Sequence, residues 1–249
     1  MSLEPAPAFM ALEAACAVGN LATAHAALTA LPAQDWAAGA ALALHLGCPS
    51  VAAECSPEPL IRAAAWLRLG TPDKALEQLA QAPETARTAV LQARAALQQG
   101  GASALTLAEE ARRQARMEGD AAALVASVTL LGELQRLHPF TALRTLAEGL
   151  KVAEMTAQPA DSHLLAVLAH VQVQVGGGKG RRTAKKALER AAPGSPARVV
   201  ALLALDRQEE ALAEAARGQL APVWWTAFHA SARSGRPVAG QMGRPEADG

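Results

Sequence analysis

Residues 171–190, VQVQVGGGKGRRTAKKALER, carry the side chains of a phosphate site: valines at every second position, a glycine-rich turn, then a basic stretch. A strand, such a turn and a helix in that order bring backbone N–H groups and a helix N-terminus to phosphate oxygens. The spacing meets neither known pattern. A Walker loop needs Gly-x4-Gly-Lys-Ser/Thr, whereas Lys179 precedes Gly180 and Arg181, and the dinucleotide fingerprint lacks its third glycine. Leu164, Leu168, Val171 and Val175 also stand at helical spacing, so strand and helix are both open here. A turn between helices is the expected reading, and nucleotide hydrolysis is not expected.

Other reactive side chains are present without a constellation. His163 and His170 lie seven apart with no third ligand at metal spacing, and His25, His45, His138 and His229 are scattered. Asp161, Ser162 and His163 are the residue types of a hydrolytic triad, but consecutive side chains diverge on a helix. Glu109–Glu110 and Glu209–Glu210 fall on polar helix faces, with nothing to desolvate them. Cys16, Cys48 and Cys55 are odd in number, lack CxxC spacing and sit among apolar neighbours, which predicts reduced, buried thiols. The chain is therefore read as non-enzymatic, with no catalytic, metal or cofactor residue.

Charge and aromatic residues mark two candidate contact regions. Residues 1–175 hold 11 Lys and Arg against 16 Asp and Glu, a net of −5, whereas residues 176–249 hold 12 against 7, a net of +5. Lys179, Arg181, Arg182, Lys185, Lys186 and Arg190 form the densest part of the positive end, and Arg182, Lys186 and Arg190 share one helical face. They read as a solvated helix or as a contact for phosphates and nucleic acid. Trp224, Trp225 and Phe228 read as a closing cap on the last hairpin or as an exposed patch for self-association or a partner.

The elements that must carry these residues are helices. The 249 residues are 51% hydrophobic but only 3% aromatic, and about a quarter are Ala, which favours closely packed helices. Ala104, Leu107, Ala108, Ala111 and Ala115 recur at helical spacing, with Glu109 and Arg113 on the wet side. Gly119 and Asp120 supply a stop and an N-cap, and Leu124, Val128, Leu131 and Leu134 continue the period. Pro139 then opens a helix with Leu143, Leu146, Ala147 and Leu150 on its apolar side. Connections this short make neighbouring helices antiparallel. Turns are likewise predicted at Gly19–Asn20, Gly47–Pro49, Gly70 and Asp206, with a helix opening at Ser195–Pro196.

Residues 64–83, AAWLRLGTPDKALEQLAQAP, resemble one hairpin of a tetratricopeptide repeat (TPR). Trp66 and Leu69 would face inward, Gly70 would turn, and Ala75, Leu79 and Ala82 would form the small-residue stripe. Residues 104–157 resemble the helical sensor regions of large bacterial transcription regulators and signalling ATPases. Equivalent stripe positions fall near Ala24, Ala52, Ala75, Ala104, Leu143, Ala184 and Ala211, at irregular intervals. The resemblance implies an all-α fold over residues 1–233, an elongated right-handed α-solenoid of six to eight antiparallel hairpins, basic from about residue 176. A Gly- and Pro-rich tail, 234–249, is predicted to be disordered. The implied function is a scaffold that holds a protein or peptide partner in its concave groove, with nucleic-acid association through 179–190 as the alternative. No apolar run reaches the roughly 18 residues of a membrane span, and the acidic, proline-bearing N-terminus lacks the positive charge of a secretory signal. A cytoplasmic protein with no membrane partner is the expectation.

Overall fold

The computed structural model describes residues 7–176 and 178–229. The predicted tail, 234–249, lies outside them. Among the described residues every regular element is helical, and fourteen α-helices follow one another. They are α1 (Pro7–Ala17), α2 (Leu21–Thr29), α3 (Trp36–His45), α4 (Pro49–Cys55), α5 (Pro59–Arg68), α6 (Pro72–Leu79) and α7 (Ala86–Gln98). Then come α8 (Ala104–Glu118), α9 (Ala121–Leu134), α10 (Pro139–Met155), α11 (Ser162–Gln174), α12 (Gly178–Arg190), α13 (Pro196–Ala204) and α14 (Gln208–Arg217). No described helix is long and apolar enough to cross a membrane.

The boundaries follow from local chemistry. The Oδ1 atoms of Asn20, Asp120 and Asp161 each accept an N–H of the first turn of α2, α9 and α11, satisfying donors that a helix start leaves open. Proline opens α4, α5, α6, α10 and α13, where its missing N–H costs nothing. Each helix packs on the next, and the odd-numbered helices from α1 to α13 also touch in succession, forming a second layer of contacts. Small residues set the spacing. Ala104, Ala108, Ala111 and Ala115 are all buried on α8, as is Ala75 on α6. Ala75→Leu or Ala104→Leu should overpack these contacts and lower stability by about 1–3 kcal/mol, read from the denaturant midpoint.

Two local expectations are corrected. Residues 171–174 continue α11, so the strand alternative fails. Gly180 is inside α12, where an added Cβ would come within 2.8 Å of the Val173 backbone nitrogen, so this glycine permits close packing of α12 on α11. On α10 Leu146 is buried and Leu143 and Leu150 pack half-buried against the core, as expected, but Ala147 is exposed, and Ala142, Gly149 and Ala153 are buried beside them. A Cβ on Gly149 would sit 2.9 Å from Leu164 and 3.0 Å from Val128, so this glycine lets α10 approach both.

The expected elongated array is also corrected, because the end of the chain returns to its beginning. Gln219 Oε1 accepts from the Ser50 backbone N–H at 3.2 Å and from its hydroxyl at 2.9 Å. The Ala221 N–H donates to the Arg68 carbonyl at 2.9 Å, Trp224 Nε1 to the Leu67 carbonyl at 2.7 Å, and Arg217 Nη2 to the Ala17 carbonyl at 2.7 Å. Three glycines let the backbones meet there. A Cβ on Gly194 would lie 2.7 Å from Gly218 Cα, and one on Gly47 would lie 3.4 Å from both Gly194 Cα and Gly218 Cα. Residues 217–224 thus form a seam with the ends of α1 and α5 and the start of α4.

Candidate functional site

Closure of the seam turns the inner layer into the wall of a cavity of about 600 Å³, within the roughly 300–1,000 Å³ of ordinary ligand sites. Its lining comes from α3, α5, α7, α9, α10, α11 and α13 and the connections before α11 and α13, with Trp224 from the returning segment, and is mostly apolar. Leu67, Leu91, Val125 and Ala126 form apolar wall, and Arg68, Arg94 and His163 are its basic groups.

Arg94 and Glu133 are the central polar pair. The guanidinium holds the carboxylate through two parallel bonds, Nη1 to Oε2 at 2.5 Å and Nη2 to Oε1 at 2.6 Å. His163 Nε2 lies 2.9 Å from Glu133 Oε1. An ionised carboxylate only accepts, so Nε2 donates in this contact and leaves Nδ1 as the ring's other polar atom. That Nδ1 is buried without a hydrogen-bond partner. Burial by itself would raise the Glu133 pKa, but the Arg94 charge and the hydrogen bonds from Arg94 and His163 override it and hold the carboxyl at about 2. The Trp224 ring lies over the Arg94 guanidinium at 4.4 Å, and its edge meets His163 with centroids 6.3 Å apart.

Arg68 differs from Arg94. Its Nη1 donates to the Leu44 carbonyl, and no carboxylate among the described residues lies within ion-pair distance. Burial alone pushes its pKa down to about 10.

The residues singled out from sequence are divided between several places. Trp224 belongs to the cavity wall, and Phe228 is buried with its ring edge-on to His170 at 5.0 Å. Trp225 is half-buried beside His229. The aromatic cluster joins the chain to itself, which corrects the reading of an exposed patch. Lys179, Arg181, Arg182, Lys185, Lys186 and Arg190 are exposed on α12, whose Gly180, Ala184 and Ala187 face inward. Arg181, Arg182 and Lys185 line a second cavity of about 430 Å³ with Arg207, remote in sequence from the first. Asp161 caps α11, with Oδ1 2.9 Å from both the His163 and Leu164 nitrogens, and so does not orient an imidazole. Among the described residues no group of three or more His, Cys, Asp and Glu could hold a metal ion.

Arg68, Arg94 and Glu133 were not legible as a site. Arg94 and Glu133 are 39 positions apart, and neither belongs to a motif. The one signal was Glu133 itself, the lone acid in the apolar helix AAALVASVTLLGEL, a place where an acid needs a buried partner.

His170 shows the same wall from its far side. Burial, then the nearby Arg136 charge, pushes its pKa down to about 4, so the folded protein holds it neutral. Below the unfolded value of 6.5 only the unfolded chain takes up this proton, so stability present above pH 6.5 is lost as pH falls toward 4. His170 should account for about 2 kcal/mol of the stability lost between pH 7.5 and pH 5. Denaturant titrations of wild type and His170→Phe at both pH values check this, the variant showing the shallower dependence.

No known protein family matches this chain, and comparisons with curated proteins and with solved structures also give no significant match.

Proposed function

We propose that this chain is a non-enzymatic binding protein, a TPR-like stack of helical hairpins that takes a partner's apolar group on its inner face. The observation that carries this reading is the cavity of about 600 Å³, walled by the odd-numbered helices from α3 to α13 together with α10. Stacked hairpins bury their stripes between neighbours and leave the first helix of each pair free to line a concave surface. Here the returning segment limits that surface to an apolar side chain cluster or a compact molecule, rather than a long groove-bound segment. Polar groups are few and convergent, the pattern of a recognition site.

Filling the cavity tests the reading. Ala126 is exposed on the cavity wall, so Ala126→Trp should occupy the space without disturbing the helix contacts. Wild type and variant are screened by two-dimensional NMR against short apolar peptides and small amphiphiles. Binding to wild type should be lost in Ala126→Trp. A full screen in which no compound distinguishes the two proteins defeats the reading.

A second reading is supported by the basic cavity on α12. Lys179, Arg181, Arg182, Lys185 and Lys186 have no ion-pair partner among the described residues, whereas Arg207 pairs with Glu210. Such a face suits a phosphate backbone. Titration of short duplex DNA, single-stranded DNA and RNA at moderate salt should then show binding that Lys185→Glu with Lys186→Glu abolishes. No binding to any of the three ends this reading.

A further inference from the structure

The charge inventory of the main cavity leaves one cation unmatched. Arg94 is neutralised by Glu133 through two hydrogen bonds. Asp161 is exposed, and its Oδ1 is engaged in capping α11. Arg68 has the Leu44 carbonyl as its side-chain partner and no carboxylate. Arg68 is half-buried at the cavity wall, and a partly desolvated guanidinium without a counter-ion is well matched by an anion with two acceptor oxygens. The rest of the wall is mostly apolar, so the anion should be the head of a largely apolar molecule.

We propose that the cavity binds an amphiphilic monoanion, a compact apolar body bearing one carboxylate that pairs with the Arg68 guanidinium. This rests on the reading of the cavity as a binding site. The Nη1 atom stays on Leu44, and the remaining edge of the fork, Nε and Nη2, receives the carboxylate. The apolar body lies along Leu67, Leu91, Val125 and Ala126. Arg94 is already held by Glu133 through two hydrogen bonds, and the Glu133 carboxylate repels a second anion, which places the head at Arg68 rather than at the Arg94–Glu133–His163 cluster.

The experiment compares straight-chain carboxylates of eight to twelve carbons with their uncharged amides of equal length, titrated into the full chain by calorimetry at neutral pH. Wild type should bind each acid at least about tenfold more tightly than its amide. Arg68→Met should bring the two affinities together. Lys185→Glu with Lys186→Glu should leave the preference intact, which separates the cavity from the basic face of α12. Acid and amide bound equally, with both lost in Ala126→Trp, would overturn the anion and leave the cavity reading standing. Binding of neither would overturn both. An acid preference that survives Arg68→Met, or that Ala126→Trp leaves untouched, would place the anion elsewhere and overturn the assignment to Arg68. The wild-type comparison needs no variant, so it decides even if Arg68→Met folds poorly.

Discussion

Gly218→Ala should destabilise the protein by about 3 kcal/mol or more, an effect out of proportion to one methyl group. Gly218 has φ −84°, ordinary for any residue, so its cost does not come from backbone strain. Without the Gly194 contact, alanine there would be neutral or slightly stabilising, through the entropy removed from the unfolded state. Here the new Cβ would fall inside the van der Waals envelope of the Gly194 carbonyl, and its other near neighbours are backbone atoms that no rotamer change can move. Either Gly218 is pushed off Gly194, straining the neighbouring Ser50–Gln219 and Leu67–Trp224 bonds, or α13 and α14 shift relative to each other. Denaturant unfolding gives the loss of stability, and a red shift of tryptophan emission would report Trp224 leaving the cavity wall. Unchanged or increased stability would show that the Gly194–Gly218 contact does not form in solution.

Glu133→Gln should cost about 3–5 kcal/mol, because it leaves the Arg94 guanidinium buried and uncompensated and takes the charged acceptor from His163. The loss is larger than for the exposed pair Arg113–Glu110, whose removal should be within about 1 kcal/mol. Replacing both partners, Arg94→Met with Glu133→Leu, should recover most of it, since an apolar pair of similar volume asks for no counter-charge. Acid should imitate the single variant. With the Glu133 pKa depressed to about 2 from an ordinary 4.5, its contribution is complete above pH 4.5 and disappears as pH falls toward 2. That contribution is about 3 kcal/mol, so wild type should lose stability in this window and Glu133→Gln should lose correspondingly less. Equal acid dependence in the two proteins would remove Glu133 as the origin.

By itself the sequence determined the helices and most of their boundaries, because these rest on neighbours close in the chain. Gly19, Gly47, Gly70 and Gly119 stop helices in the left-handed conformation, Asn20 and Asp120 cap the next ones, and Pro139 opens α10. The alanine stripe of α8 was equally legible, since period 3.6 alone puts its four alanines on one face. On α10 the period found Leu143, Leu146 and Leu150 but misplaced Ala147, and the buried Gly149 is explained only by how closely Leu164 and Val128 approach it. The cavity was decided by tertiary structure alone. It exists because Gly47, Gly194 and Gly218 allow three separate stretches of backbone to touch, and because Arg94 meets Glu133 and Trp224 across distances in sequence that no local period encodes. Helical propensity and capping act over one or two turns, whereas a buried charge finds its partner through the fold, and so the chemistry of this chain became visible only where its two ends join.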